Sequence, residues 1–200
     1  MFNLIAGALQ KTGIFGVFLL MLVENLIPVI PSELIMPMAG YEAARGSLDP
    51  VLTVLAGAVG SIIGGLLWYR LGYALGLERA THWAERHGRW VTLSAKDVAR
   101  GVAWFDRWGA AAVCLGRMCP GVRGVICFPA GVAQMPFARF LLWSSIGATL
   151  WSALLVAGGY ALKARFTVVG QWINPVSDSV LVICLLIYAV RLLRRRKPAA

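Results

Sequence analysis

Acidic residues are scarce in this sequence. Nine Asp and Glu stand against nineteen Lys and Arg in 200 residues, and charged residues of all kinds make up only 14%. A water-soluble domain typically carries about 25% charged residues. With 59% hydrophobic residues and a mean hydropathy of +0.73, a soluble globular domain is excluded. Histidine is nearly missing: only His82 and His87 occur, and at that spacing they do not share a helix face as a metal pair would. There is no His-Glu-x-x-His run and no Gly-x-Ser-x-Gly turn, the two commonest signatures of an intramembrane or lipid hydrolase. The four cysteines, Cys114, Cys119, Cys127 and Cys184, sit in apolar stretches without metal-ligand spacing and read as small buried hydrophobes. Neither a metal nor a cofactor is called for.

Long uncharged apolar runs are what the sequence does have. Residues 1–23 carry only Lys11 as a charge and lack a basic leader and a small-residue cleavage site, so they read as a retained helix. Residues 51–69 and 140–162 are uncharged for long enough to cross a bilayer, and residues 170–190 form a further span with Asp178 near one end. Glycines at 57, 60, 64 and 65 allow another helix to approach the first of these closely. Pro50 suits the first turn of that helix. Residues 70–107 are the most polar part, with seven Lys and Arg, four Asp and Glu, and aromatic residues at Trp83, Trp90, Trp104 and Phe105. A capping box at Ser94 and Asp97 precedes Val98, Val102 and Phe105 at helical spacing, which predicts an amphipathic segment at the membrane surface. The net charge of +10 is concentrated between spans and in the basic tail of residues 191–200, where topology and anionic lipid account for it better than nucleic acid does.

Two stretches break the pattern. Residues 24–41 place Glu24 and Glu33 among Pro28, Pro31 and Pro37; residues 108–135 place Arg117 and Arg123 around Pro120, with Pro129 following. Laid over one another with Pro28 on Pro120, they bring Pro37 onto Pro129, and an Ala-Gly pair follows each. Proline removes amide donors and interrupts helix, and broken helix is tolerated at membrane depth only where protein or a wet cavity shelters it. A charge at the bilayer centre costs ~2.5–3.5 kcal/mol, so four of them need partners or a function. Each stretch is therefore expected to be a re-entrant hairpin, with all five prolines breaking helix.

The basic tail sets the orientation by the positive-inside rule, with the C-terminus cytoplasmic. Counting back, residues 70–107 lie on the cytoplasmic side and residues 42–49 outside, so the hairpins open to opposite faces. Lys163 and Arg165 then fall outside, against the rule. The expected architecture is an all-α polytopic membrane protein, one domain over residues 1–200, built as an inverted-repeat transporter-like bundle with two opposed re-entrant hairpins.

Residues 24–40, together with Phe105 to Gly109 and the motif Gly116-Arg117-x-x-Pro120-x-x-Arg123 followed by Pro129-Ala130-Gly131, resemble the DedA family, also called the SNARE-associated or VTT-domain family. The resemblance covers about residues 12–165. It implies a lipid transporter of the bacterial cytoplasmic membrane that returns a lipid phosphate, undecaprenyl phosphate above all, across the bilayer; eukaryotic relatives are described as phospholipid scramblases. Carried over by position, the family's arginine pair is Arg117 and Arg123, and its acidic pair is Glu24 and Glu33. The second acidic residue departs from the commoner family pattern, an Asp a few positions further on.

The residue chemistry runs the same way. A lipid phosphate must shed water to change leaflet, and two guanidiniums near a proline break supply planar charged donors for it. Glu24 and Glu33 either act as counter-ions or carry protons that couple transport, with Glu33 expected to pair with Arg117 or Arg123. The partners expected are thus a lipid phosphate, the bilayer, protons as coupling ion and no nucleic acid; assembly into a homo-oligomer is left open. A scramblase without energy coupling, a proton-coupled carrier of small ions and an intramembrane enzyme are the competing readings.

Overall fold

The computed structural model describes residues 2–26, 32–91, 103, 105, 108–119 and 123–162, with side chains over most of these from Thr12 onward. Among the described residues helices alone make up the regular structure, in the order α1 (Phe2–Leu26), α2 (Ser32–Ala44), α3 (Pro50–Val91), α4 (Ala111–Met118), α5 (Cys127–Val132) and α6 (Phe137–Ala161). Pro50 opens α3 as expected, and the Asp49 carboxylate ahead of it accepts the Leu52 N–H at 2.8 Å, capping one of the free amides of the first turn. The helix does not stop at Tyr69. It runs on to a break at Gly76, whose φ of 65° is left-handed backbone that a side chain would strain.

Among the described residues two helical stretches are long and apolar enough to cross a membrane, Pro50–Arg79 with 30 residues and Phe137–Ala161 with 25. At about 1.5 Å per residue both exceed a hydrocarbon core of about 30 Å. Their large apolar side chains point outward: Leu55, Val59, Ile63, Leu67 and Leu71 form an exposed stripe on α3, and Leu142, Ile146, Leu150 and Leu154 form one on α6. The inward faces carry Thr53, Gly57, Ser61, Gly64 and Gly65 on α3, and Ser144, Gly147, Ala148 and Ser152 on α6. Small and hydroxylated residues inside, with leucine outside, is the arrangement of helices packed in lipid, where close backbone approach takes over from hydrophobic burial.

Two apolar cores flank the middle of these helices. One gathers Val17 and Met21 of α1, Leu34, Ile35 and Met38 of α2, and Val156 near the end of α6. The other gathers Tyr69 of α3, Val113 of α4, Cys127 and Ala130 of α5, and Phe140 near the start of α6. Helix α1 packs on α3 and α4 on α6, whereas α2 packs on α6 and α5 on α3. The crossed contacts are close: a methyl group added at Gly40 or Gly159 would strike the backbone of Val156 or Pro37, and one at Gly131 or Gly72 would strike that of Tyr69 or Phe128.

Two of the five prolines do not interrupt helix. Pro37 lies inside α2 and Pro129 is the third residue of α5. Pro129 falls in a first turn, whose amides have no intrahelical partner to lose, and Pro37 sits only one turn further into its helix, where a single carbonyl is left open. Pro28, Pro31 and Pro120 lie outside the described residues, as do Ser94 and Asp97, Cys184, Lys163 and Arg165, the span at 170–190 and the basic tail. The side chains of Trp83 and Trp90 are likewise outside the description.

Candidate functional site

Between the two cores, Ser61 of α3 and Ser144 of α6 face inward, and the start of the first broken stretch meets the middle of the second there. Glu24 and Asn25 occupy the last turn of α1. Arg117 occupies the last turn of α4, where the helix C-terminus favours a cation, and Arg123 stands just beyond the break before α5. Glu24, Asn25, Arg117, Arg123, Ser61 and Ser144 are all buried.

The two arginines are held differently. Arg123 Nη2 donates to Glu24 Oε2 in a buried ion pair that joins positions 99 residues apart. Arg117, only 1% exposed, is surrounded by neutral acceptors. Its Nε and Nη2 both donate to Ser144 Oγ, at 3.1 and 2.8 Å. Its Nη1 donates to Ser61 Oγ at 3.0 Å, to the Ser61 carbonyl at 3.2 Å and to Asn25 Oδ1 at 3.3 Å. Asn25 is fixed in turn, its amide donating to Ser61 Oγ at 2.9 Å and to Glu24 Oε2 at 3.3 Å, while the Trp68 indole N–H donates to its backbone carbonyl at 3.0 Å. One hydrogen-bonded cluster therefore connects both arginines, one carboxylate and both spans.

Room for the guanidinium comes from Gly65. A methyl group there would fall on Arg117 Nη2 and come within 3.0 Å of Cys127 Sγ. Gly147 does the same for the root of the side chain, since its added methyl would lie 2.8 Å from Arg117 Cβ. The Cys127 thiol is oriented by the Arg123 carbonyl, which accepts its S–H at 3.8 Å.

Three of the four expected site residues are thus brought together, Glu24, Arg117 and Arg123. Glu33 is placed apart: it lies in the first turn of α2, half-buried, and makes no ion pair among the described residues, although it is near enough for Glu24 to feel its charge. The amide end of α2 is a favourable place for a carboxylate without a basic partner. Asn25, Ser61, Ser144 and Gly65 were not anticipated. Asn25 adjoins Glu24 in the broken stretch and Ser61 sits within the glycine-rich face, so both had a signal; Ser144 had none.

A bundle of helices with leucine outside, serine and glycine inside, and a buried pair of arginines between two apolar cores defines a helical membrane protein with a polar centre. The VTT domain matches residues 30–161, and the chain belongs to that family, the DedA family. It is 31% identical over 198 residues to undecaprenyl phosphate transporter A of Staphylococcus aureus, covering 98% of each chain. It is 26% identical over 170 residues to the protein of the same name in Bacillus subtilis, covering 83% of this chain and 84% of that one. A relative in Lactococcus lactis subsp. lactis named alkaline phosphatase-like protein is 30% identical over 192 residues, covering 96% of this chain and 90% of its own. No solved structure matches. The chain is accordingly a bacterial membrane protein of a family that includes lipid-phosphate transporters.

Proposed function

We propose that this protein carries a lipid phosphate, undecaprenyl phosphate in the first place, across the cytoplasmic membrane, with Arg117 and Arg123 binding the phosphate and Glu24 coupling the movement to protons. One observation carries the reading: Arg117 is buried, and its hydrogen bonds among the described residues go to neutral oxygens while the nearby Glu24 carboxylate is bonded to Arg123 instead. A counter-ion pair accounts for Arg123 but leaves Arg117 a cation whose charge no hydrogen-bonded carboxylate compensates. Keeping such a charge in hydrocarbon costs a few kcal/mol, which an anionic ligand would offset. Its Nε/Nη2 edge, the edge that grips phosphate in a bidentate manner, is parked on a single hydroxyl that a phosphate oxygen can replace.

Glu24 then takes the coupling role in preference to Glu33, because Glu24 is the carboxylate that occupies an arginine. Ionised, it competes with phosphate for Arg123; protonated, it releases the guanidinium. The helix contacts support two inverted repeats, α1–α3 and α4–α6. Exchanging the halves carries α1 on α3 onto α4 on α6, and α2 on α6 onto α5 on α3. On this reading the broken stretches are re-entrant hairpins open to opposite faces, the amphipathic part of 70–107 and the C-terminus lie in the cytoplasm, and access alternates around the arginine cluster. The family and the relatives named as transporters favour carriage over hydrolysis.

The test is translocation of undecaprenyl phosphate in proteoliposomes with and without an imposed pH gradient. Glu24→Gln is expected to bind the lipid at least as tightly as the parent and to lose the gradient-dependent part of the rate. A Glu24→Gln protein that keeps the full gradient-dependent rate rejects the coupling role and leaves uncoupled scrambling as the better description.

A further inference from the structure

An apolar groove of about 550 Å³ runs between the N-terminal part of α3 and the C-terminal half of α6, walled by Val51, Val54 and Leu55 on one side and Ala153, Val156 and Ala157 on the other. We propose that it is the seat of a single hydrocarbon chain, the tail of the lipid whose phosphate the arginines bind; this rests on the lipid-phosphate reading above.

The internal repeat gives the first argument. The contact of Gly40 with Val156 has its counterpart in that of Gly131 with Tyr69, and the contact of Gly159 with Pro37 in that of Gly72 with Phe128. Aligning α6 with α3 on these pairs sets Pro50 opposite Phe137, Ala153 opposite Leu66, Val156 opposite Tyr69 and Ala157 opposite Arg70. The counterpart corner is filled by the protein itself. Tyr69 stacks on Phe140 with ring centres 4.1 Å apart and lies 6.2 Å from Phe137, and the Arg70 guanidinium covers Phe137 at 5.6 Å. Where Phe137, Tyr69 and Arg70 stand, the groove has Pro50, Val156 and Ala157, and Thr53 takes the place of Phe140. The groove is open along the outer side of two apolar spans, where exposed walls at Val51, Leu55 and Ala157 meet hydrocarbon rather than water, so what seats there is a hydrocarbon chain.

The second argument is position. Val54 precedes Ser61 by seven residues, two turns on the same face of α3, which puts the groove wall about 10 Å from the hydroxyl that binds Arg117. From Thr149 to Tyr160 the groove follows α6 for about 16 Å, the reach of a long alkyl chain or several isoprene units. A polar cage and an apolar slot in line along one helix match the two ends of one lipid.

The probe is hexadecyl phosphate carrying a photoactivatable diazirine at the chain end, bound to the full-length protein in detergent. Light is expected to attach it to the peptide holding residues 149–160. Ala153→Phe and Ala157→Phe, which put a ring into the groove from its α6 wall, should weaken hexadecyl phosphate binding at least tenfold while leaving competition by butyl phosphate unchanged. Labelling confined to other peptides overturns the proposal whatever the variants do, and so does undiminished hexadecyl phosphate affinity in both variants. A disulfide formed without lipid between a cysteine placed at Ala153 and cysteines within residues 170–190 would give the groove to the chain's own C-terminal run. One between the Ala153 cysteines of two copies would give it to a dimer. Loss of butyl phosphate binding in Arg117→Ala, with chain labelling elsewhere than 149–160, would reject the groove and keep the anion site; butyl phosphate binding at parental strength in Arg117→Ala and Arg123→Ala would reject the anion site itself.

Discussion

Arg117 and Arg123 differ by what they leave behind when removed. Arg123→Ala strands the Glu24 carboxylate in a buried site, at a cost of about 3–5 kcal/mol, and Glu24→Gln in the same chain should recover much of that because no charge is then unpaired. Thermal unfolding in detergent checks this: an Arg123→Ala protein no less stable than the parent would mean that the ion pair is not formed. Arg117→Ala should weaken phosphate binding by about 10- to 100-fold, as expected for one or two charge-assisted hydrogen bonds, and Lys should restore only part of it for want of the planar fork. Ser144 holds the edge of Arg117 that a phosphate would take. Ser144→Ala is therefore expected to lower the stability of the ligand-free protein by about 1–3 kcal/mol and to raise phosphate affinity several-fold; weaker binding would mean that Ser144 helps to hold the ligand instead. The arginines and Glu24 were legible as charges in apolar surroundings. Their pairing was not, because Glu24 and Glu33 are equivalent candidates until the chain brings position 24 to position 123.

The helices are held by backbone proximity at a few glycines, and this is testable without touching the polar cluster. A methyl group at Gly159 would press on the Pro37 carbonyl, whereas one at the neighbouring Gly158 meets nothing within 4 Å. Gly159→Ala should thus separate α2 from α6 and cost about 1–3 kcal/mol in thermal stability, while Gly158→Ala should be neutral or stabilising by up to about 1 kcal/mol. Equal effects would show that the α2–α6 contact is not as close as described. Composition gave notice of this packing on α3, where four glycines recur on one face, and less so on α6. Pro37 and Pro129 misled because a proline's effect depends on its distance from the helix start, and where a helix starts is set by what the preceding segment packs against.

For the molecule as a whole, the orientation proposed above rests on the distribution of charge. Single cysteines at Gly46 and Ser94, in a protein stripped of its native cysteines, should be labelled from opposite faces of the membrane; labelling from one face would break the inverted arrangement. That this chain belongs in a bilayer, that the stretches at 51–69 and 140–162 are apolar enough to cross it, and which charged residues have no place in lipid were legible in the sequence, because transfer from water to hydrocarbon is close to a sum over neighbouring residues. The neutral cage of Asn25, Ser61 and Ser144 around Arg117, the choice of Glu24 as partner of Arg123, and the groove beside α6 came from the three-dimensional arrangement. Serine, asparagine and alanine are unremarkable in any single membrane helix, and they acquire a role only when helices distant in the chain cross at the positions that carry them.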